Sequence, residues 1–174
     1  MSRPTITPTG RERTWPESRI IVSKTDTKGI ITYANKVFCD VALYRENELV
    51  GWPHNVIRHP DMPRCVFKLM WDTIEKGEEI FAYVVNLAKN GDHYWVLAHV
   101  TPTFDEAMRI VGYHSSRRVP RRDAVETMSG LYHRLLDIER GRPSPKEGMA
   151  ASEAALFGIL KDKGVAYDEF VLTL

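Results

Sequence analysis

Three short stretches of this chain carry polar side chains where they could do chemistry. Arg58, His59 and Asp61 fall within four residues and are braced by Pro60 and Pro63. An arginine presents a planar fork of donors that suits a phosphate, and a proline-bounded segment holds that fork still, so one reading is a phosphate clamp. The other is a loop in which Asp61 caps the following helix while Arg58 makes a surface ion pair. Asn86 stands in the middle of an apolar run, where a carboxamide buried without a partner costs free energy. It either meets the polar edge of a ligand or faces outward at the surface or a bulge. His114 lies in a third run, with an ordinary pKa inside the physiological range, and serves either as a protonation-sensitive group or as a structural strand histidine.

Other chemistries are disfavoured by residue type and spacing. His54, His59 and Asp61 follow a His-x4-His-x-Asp order that matches no well-supported zinc pattern, and no cysteine joins them. Cys39 and Cys65 have neither CxxC nor metal spacing, so no disulfide and no metal ligand is assigned, and the composition suits the cytoplasm. No nucleophile–base arrangement is evident, so no catalytic residue is assigned and the chain reads as a non-enzyme. Lys and Arg total 24 against 23 for Asp and Glu, which gives no field to draw the protein onto nucleic acid. No stretch supplies the ~20 apolar residues of a membrane span, and the first 17 residues lack the apolar run of a signal peptide. The expectation is a soluble chain with no direct membrane insertion.

These residues need elements to position them, and 174 residues suffice for one domain with appended structure. Residues 1–19 read as an irregular leader, because Pro4, Pro8 and Pro16 each remove a backbone donor. Two β-rich runs, 20–23 and 30–33, flank Asp26-Thr27-Lys28-Gly29 and predict a hairpin. Asn35 stands at the cap of a helix running to about Leu43, and a second short helix begins near Arg45 and stops at Gly51 and Pro53. Val66, Phe67, Met70, Trp71 and Ile74 recur at spacings of three and four, predicting a longer helix through about Lys76. Strands follow at 79–88, 94–102 and 108–117. Residues 125–138 carry a helical stripe ending at Gly141, 142–148 read as a linker, and 150–163 form a further helix closed by Gly164. Along the fourth strand Tyr94, Val96, Ala98 and Val100 share one face, and Trp95, Leu97, His99 and Thr101 share the other. With both faces partly apolar, one suits a ligand pocket and the other a covering helix or partner.

Taken together, Asn55-Val56-Ile57-Arg58-His59-Pro60-Asp61-Met62-Pro63 and Lys89-Asn90-Gly91-Asp92-His93-Tyr94-Trp95-Val96 resemble the flavin-binding PAS domain of bacterial aerotaxis receptors. Thr32 to Phe38, Gly51-Trp52-Pro53, Met70-Trp71 and Gly112-Tyr113 follow in the family's order, and the resemblance runs from about residue 20 to about residue 140. It implies an α+β PAS fold: a five-stranded antiparallel sheet with short helices inserted after strand 2, a sensor domain over 20–119 and a C-terminal helical extension over 120–174. It also implies FAD as cofactor, with Asn35, Arg58, His59, Asp61, Phe67, Trp71, Asn86, Val96, Ala98 and His114 as the binding set. The Arg-His-Pro-Asp segment belongs to that site, and His114 stands where light-sensing relatives carry Gln. Ile80 replaces the family's common Trp, a change that bears on flavin affinity, and Asn55-Val56-Ile57-Arg58 replaces the Asn-Cys-Arg-Phe signature of photochemical adduct formation. The implied function is a redox or oxygen sensor that signals to a separate methyl-accepting-type transducer, and the two-faced fourth strand adds a homodimer formed through the outer sheet face at Trp95 and Leu97. A haem b gas sensor using His59 or His114 is the alternative on the same fold, and a ligand-free interaction module the next.

Overall fold

Five runs of alternating side chains pair into one antiparallel sheet in the computed structural model, which describes residues 5–174. Pro4 of the expected leader lies outside the described residues. The strands are β1 (Ile21–Thr25), β2 (Ile31–Ala34), β3 (Ile80–Leu87), β4 (His93–Phe104) and β5 (Ile110–Arg118), in the order β2-β1-β5-β4-β3. Gly29, at φ 76°, turns the first hairpin in a conformation that other residues adopt at a cost. Register then fixes the faces. Ala98 of β4 stands opposite Ala82 of β3 and Arg117 of β5, so these three share a side with Asn86, Val100 and Ser115.

The long β2-to-β3 connection lays its helices over that inner side. Helix α1 (Lys36–Ala42) starts at Asn35, whose side-chain oxygen accepts from the Phe38 amide at 2.9 Å. A short α2 (Glu46–Leu49) and a 3-10 turn (His54–Ile57) follow. Helix α3 (Arg64–Ile74) is amphipathic as expected and buries Cys65, Val66 and Ile74. The leader does not hang free. It runs along the β3–β4 turn, where the Thr9 amide donates to the Gly91 carbonyl at 2.8 Å and the Arg13 amide to the His93 carbonyl at 2.7 Å.

The outer side is covered by the chain itself. Helix α4 (Arg122–Arg140) buries Val125, Met128, Leu131, Tyr132 and Leu135 at helical spacing. Tyr132 stacks on Trp95 with ring centroids 5.9 Å apart, and its hydroxyl donates to the Tyr83 carbonyl at 2.5 Å. Trp95, expected on an outer face that a helix or a partner covers, is packed against α4. Helix α5 (Pro145–Lys163) begins inside the segment expected to be a linker, because Ser144 caps it and Pro145 at its first position is preset for a helix. A further helix, α6 (Tyr167–Leu172), which the pattern did not suggest, buries Phe170 and Val171 beside β3.

The α4–α5 joint is tight. A Cβ added to Gly148 would stand 2.4 Å from the Glu139 carbonyl oxygen, closer than real contacts allow. Gly148→Ala is expected to lower stability by about 1–3 kcal/mol through forced separation of the two helices. Urea unfolding checks it, and an unchanged midpoint would show that the joint yields without cost.

Candidate functional site

Between the inner sheet face and the overlying helices lies a cavity of about 1020 Å³. Its walls are apolar where a flat ring could lie: Phe67, Met70 and Trp71 from α3 face Val84, Ala98 and Val100 of the sheet. Trp71 is fixed edge-on to Tyr113 at 5.5 Å and packs over Gly29, where a Cβ would come within 3.1 Å of the indole. Ala98 is small enough to leave the space open.

The inner end of the cavity is polar and short of partners. Arg117 is 2% exposed and has no ion pair with any described carboxylate. One guanidinium nitrogen donates to Ser23 Oγ, and the group sits 4.4 Å over the Phe38 ring. Its Nε and Nη1 have no hydrogen-bond partner among the described residues. Burial pushes the guanidinium down to about 10, so it stays charged at neutral pH. A desolvated cation–π contact returns about 2 kcal/mol, whereas an unpaired buried charge costs several. Beside it, His54 Nε2 lies 3.1 Å from Ser23 Oγ and the ring stacks on Phe38. Burial, with Arg117's charge adding to it, pushes His54 down to about 3. Asn86 is 4% exposed, and its side-chain amide makes no hydrogen bond among the described residues while lining the cavity.

Six of the ten expected site residues meet in this cavity: Arg58, His59, Phe67, Trp71, Asn86 and Ala98. Arg58 lies 4.3 Å over the Phe67 ring, donates to the Met62 carbonyl at 3.3 Å, and bridges Asn86 through backbone pairing. His59 is buried, and its Nδ1 accepts from the Asp61 amide at 3.1 Å. Four residues lie elsewhere. Asn35 spends its amide on the Phe38 and Val22 backbone amides and the Ile20 carbonyl. Val96 faces inward but is sealed in the packed core. His114 points to the outer side, because it alternates with Tyr113 and Ser115 and pairs with Lys24 and Thr101; burial and then Lys24 hold its pKa low. Asp61 neither caps α3 nor lines the cavity. It pairs with Arg140 of α4 at 3.1 Å.

The first turn of α3 is capped instead from the extension: Glu139 Oε1 accepts from the Cys65 amide at 3.1 Å and from Ser152 Oγ at 2.8 Å. Burial pushes the Cys65 thiol up to about 11, so it remains protonated at neutral pH. Arg117 and Ser23 were missed in the sequence, and His54 was weighed there only as part of a metal pattern. The one signal was a charged residue sharing the alternation of Tyr113 and Ser115, which a strand end also explains.

A five-stranded sheet in this order, with its helices inserted after strand 2 and a cavity between them, is the architecture of a PAS domain. A family profile described as PAS fold matches residues 31–117, half of the chain, and the chain belongs to that family. Among curated proteins it is 44% identical over 115 residues to the aerotaxis receptor of Escherichia coli (strain K12), covering 66% of this chain and 22% of that protein. It is 26% identical over 102 residues to the nitrogen fixation regulatory protein of Klebsiella pneumoniae, covering 59% and 21%. The chain thus spans about a fifth of these relatives. In solved structures the fold recurs in a light-oxygen-voltage domain studied with a flavin analogue (TM-score 0.57, 17% identity, 66% of this chain and 86% of that one). It recurs also in the blue-light photoreceptor Aureochrome1 LOV (TM-score 0.55, 24% identity, 68% and 86%).

His54 gives the fold a pH signature whose sign is fixed. Its folded pKa of about 3 lies below the ordinary 6.5, so below about 6.5 the unfolded chain takes up a proton that the folded one refuses. Stability from this group is full above that value and is lost as pH falls toward 3, by up to about 1.4 kcal/mol per pH unit. Urea unfolding at about pH 7.5 and about pH 5 should show wild type losing roughly 2 kcal/mol more than His54→Asn. Equal losses would mean that His54 is protonated in the fold.

Proposed function

We propose that this PAS sensor domain binds FAD with the flavin ring in the cavity, and that it reports redox or oxygen status to a separate transducer of the energy-taxis type. The observation that carries the reading is the pair of buried Arg117 nitrogens, Nε and Nη1, that lack a partner among the described residues, in a cavity walled by Trp71, Phe67 and Val84 and lined also by the buried Asn86. Buried polar groups are normally satisfied, so such a pair points to a ligand with complementary atoms. A carboxamide both donates and accepts, while a guanidinium only donates. A flavin ring fits this set: it is flat and apolar across its faces, has alternating donors and acceptors at one edge, and gains negative charge there on reduction.

When bound, the flavin supplies reversible one- and two-electron transfer. The chain's own residues set the terms. Arg117 favours whatever state places more negative charge at the inner end, because its desolvated charge acts in a medium of low dielectric. His54 stays neutral and holds Ser23, which in turn holds Arg117. Asn86 can reverse the direction of its hydrogen bonds when a facing atom changes from acceptor to donor, an exchange worth about 1 kcal/mol. That is enough to bias a sheet and helices that sit near a two-state balance.

The alternative haem reading lacks a presented axial ligand. His114 is on the far side of the sheet, His59 accepts the Asp61 amide, and His54 shares its Nε2 with Ser23. The direct test is the spectrum of the full chain purified without added cofactor. Flavin bands are expected, with adenine dinucleotide released on denaturation. A Soret band alone would replace FAD by haem, and a colourless protein that takes up no FAD would leave the ligand-free module. Arg117→Gln should lower the midpoint potential of bound flavin by about 60 mV or more, from loss of a charged hydrogen bond. An unchanged potential would remove Arg117 from the redox site.

A further inference from the structure

The cavity does not end at the PAS domain. Its wall continues over the α4–α5 turn, through Arg140, Arg142, Pro143 and Ser144, beyond the 31–117 stretch that the family profile matches. The charge around it is lopsided. Seven Lys and Arg side chains line the cavity against one carboxylate, Glu139, whereas the whole chain carries a net charge of only +1. At the mouth, Arg64 and Arg142 make no ion pair with any described carboxylate, and the amino-terminal end of the 19-residue α5 opens onto the same space. Glu139, the one carboxylate, is already engaged by the Cys65 amide and Ser152.

Resting on the flavin reading above, we infer that the α4–α5 turn is the phosphate-binding arm of the site, with Arg142 facing Arg58 and Arg64 across the mouth to hold the diphosphate of a dinucleotide. The apolar inner part takes a flat ring and Arg117 its polar edge, which leaves the cationic mouth for what a mononucleotide lacks. Guanidinium forks bind phosphate oxygens in pairs, and the positive end of a long helix adds to their field. The arm is rigid before any ligand arrives. Pro143 and Pro145 fix two φ angles in the turn, the Ser144 side chain accepts from the Glu147 amide at 3.2 Å, and Gly148 seats α5 against Glu139. Arg140 is the lesser contributor, since it holds Asp61.

The experiment uses the full chain freed of cofactor and measures affinity for FAD, riboflavin and ADP in wild type, Arg142→Glu and Arg134→Glu. Arg134 is exposed on α4 outside the cavity lining, so it carries the same change of charge without the same place. Arg142→Glu is expected to weaken FAD by about tenfold or more relative to Arg134→Glu while riboflavin binds as in wild type. Equal weakening of FAD and riboflavin, or no weakening of either, overturns the arm. If wild type binds neither flavin, the flavin reading falls and ADP decides. Binding by wild type and Arg134→Glu with loss in Arg142→Glu keeps the diphosphate arm, and no binding by wild type removes it as well.

Discussion

Arg117 is the constraint around which the cavity is organised. A guanidinium sealed at the junction of β1, β4 and β5, without a carboxylate partner among the described residues, is tolerated only because Ser23 and Phe38 take part of its charge and because the space in front of it is open. Filling that space with apolar side chains would strand two donors in hydrocarbon. The small residues Ala98 and Ser115 beside it, and the neutral His54 behind Ser23, follow from the same requirement. A positively charged neighbour could not sit so close to a second buried cation.

The second constraint is the joint between domain and extension. Glu139 and Asp61 exchange the partners their sequence positions suggest: the carboxylate of α4 caps α3, and the carboxylate beside α3 pairs with Arg140 of α4. Helix α3 also holds α5 through Lys68 and Glu153, 2.9 Å apart. Since α3 forms one wall of the cavity and α4 covers Trp95 on the sheet's far side, a shift at the cavity has two routes into the same helical pair. A surface ion pair is worth little by itself. The coupling rests instead on the buried stacking of Tyr132 on Trp95 and on the close approach at Gly148.

Alternation and helical spacing were enough to place the five strands, the turn at Gly29 and the stripe of α3, because each is a local pattern. They also divided β4 into its two faces, though only the family resemblance said which of them is inner. They did not place His114, since a one-residue choice of phase decides which side of β5 a side chain meets, and that phase is fixed by pairing with β1 and β4. Arg117 was legible only as a charge near a strand end. Asp61 looked like a helix cap by position, but Pro63 occupies that position and the competing carboxylate lies 78 residues away, a distance no local pattern spans. Ser144-Pro145 was readable as a helix start and was obscured by the glycine and prolines around it.

A crystal structure of the full chain, purified with whatever it retains, tests the central claim most directly. The account predicts density for a three-ring system beside Trp71, with its polar edge within hydrogen-bond distance of Arg117 Nε and Nη1. A guanidinium paired with a protein carboxylate, over a cavity closed by side chains, would contradict it.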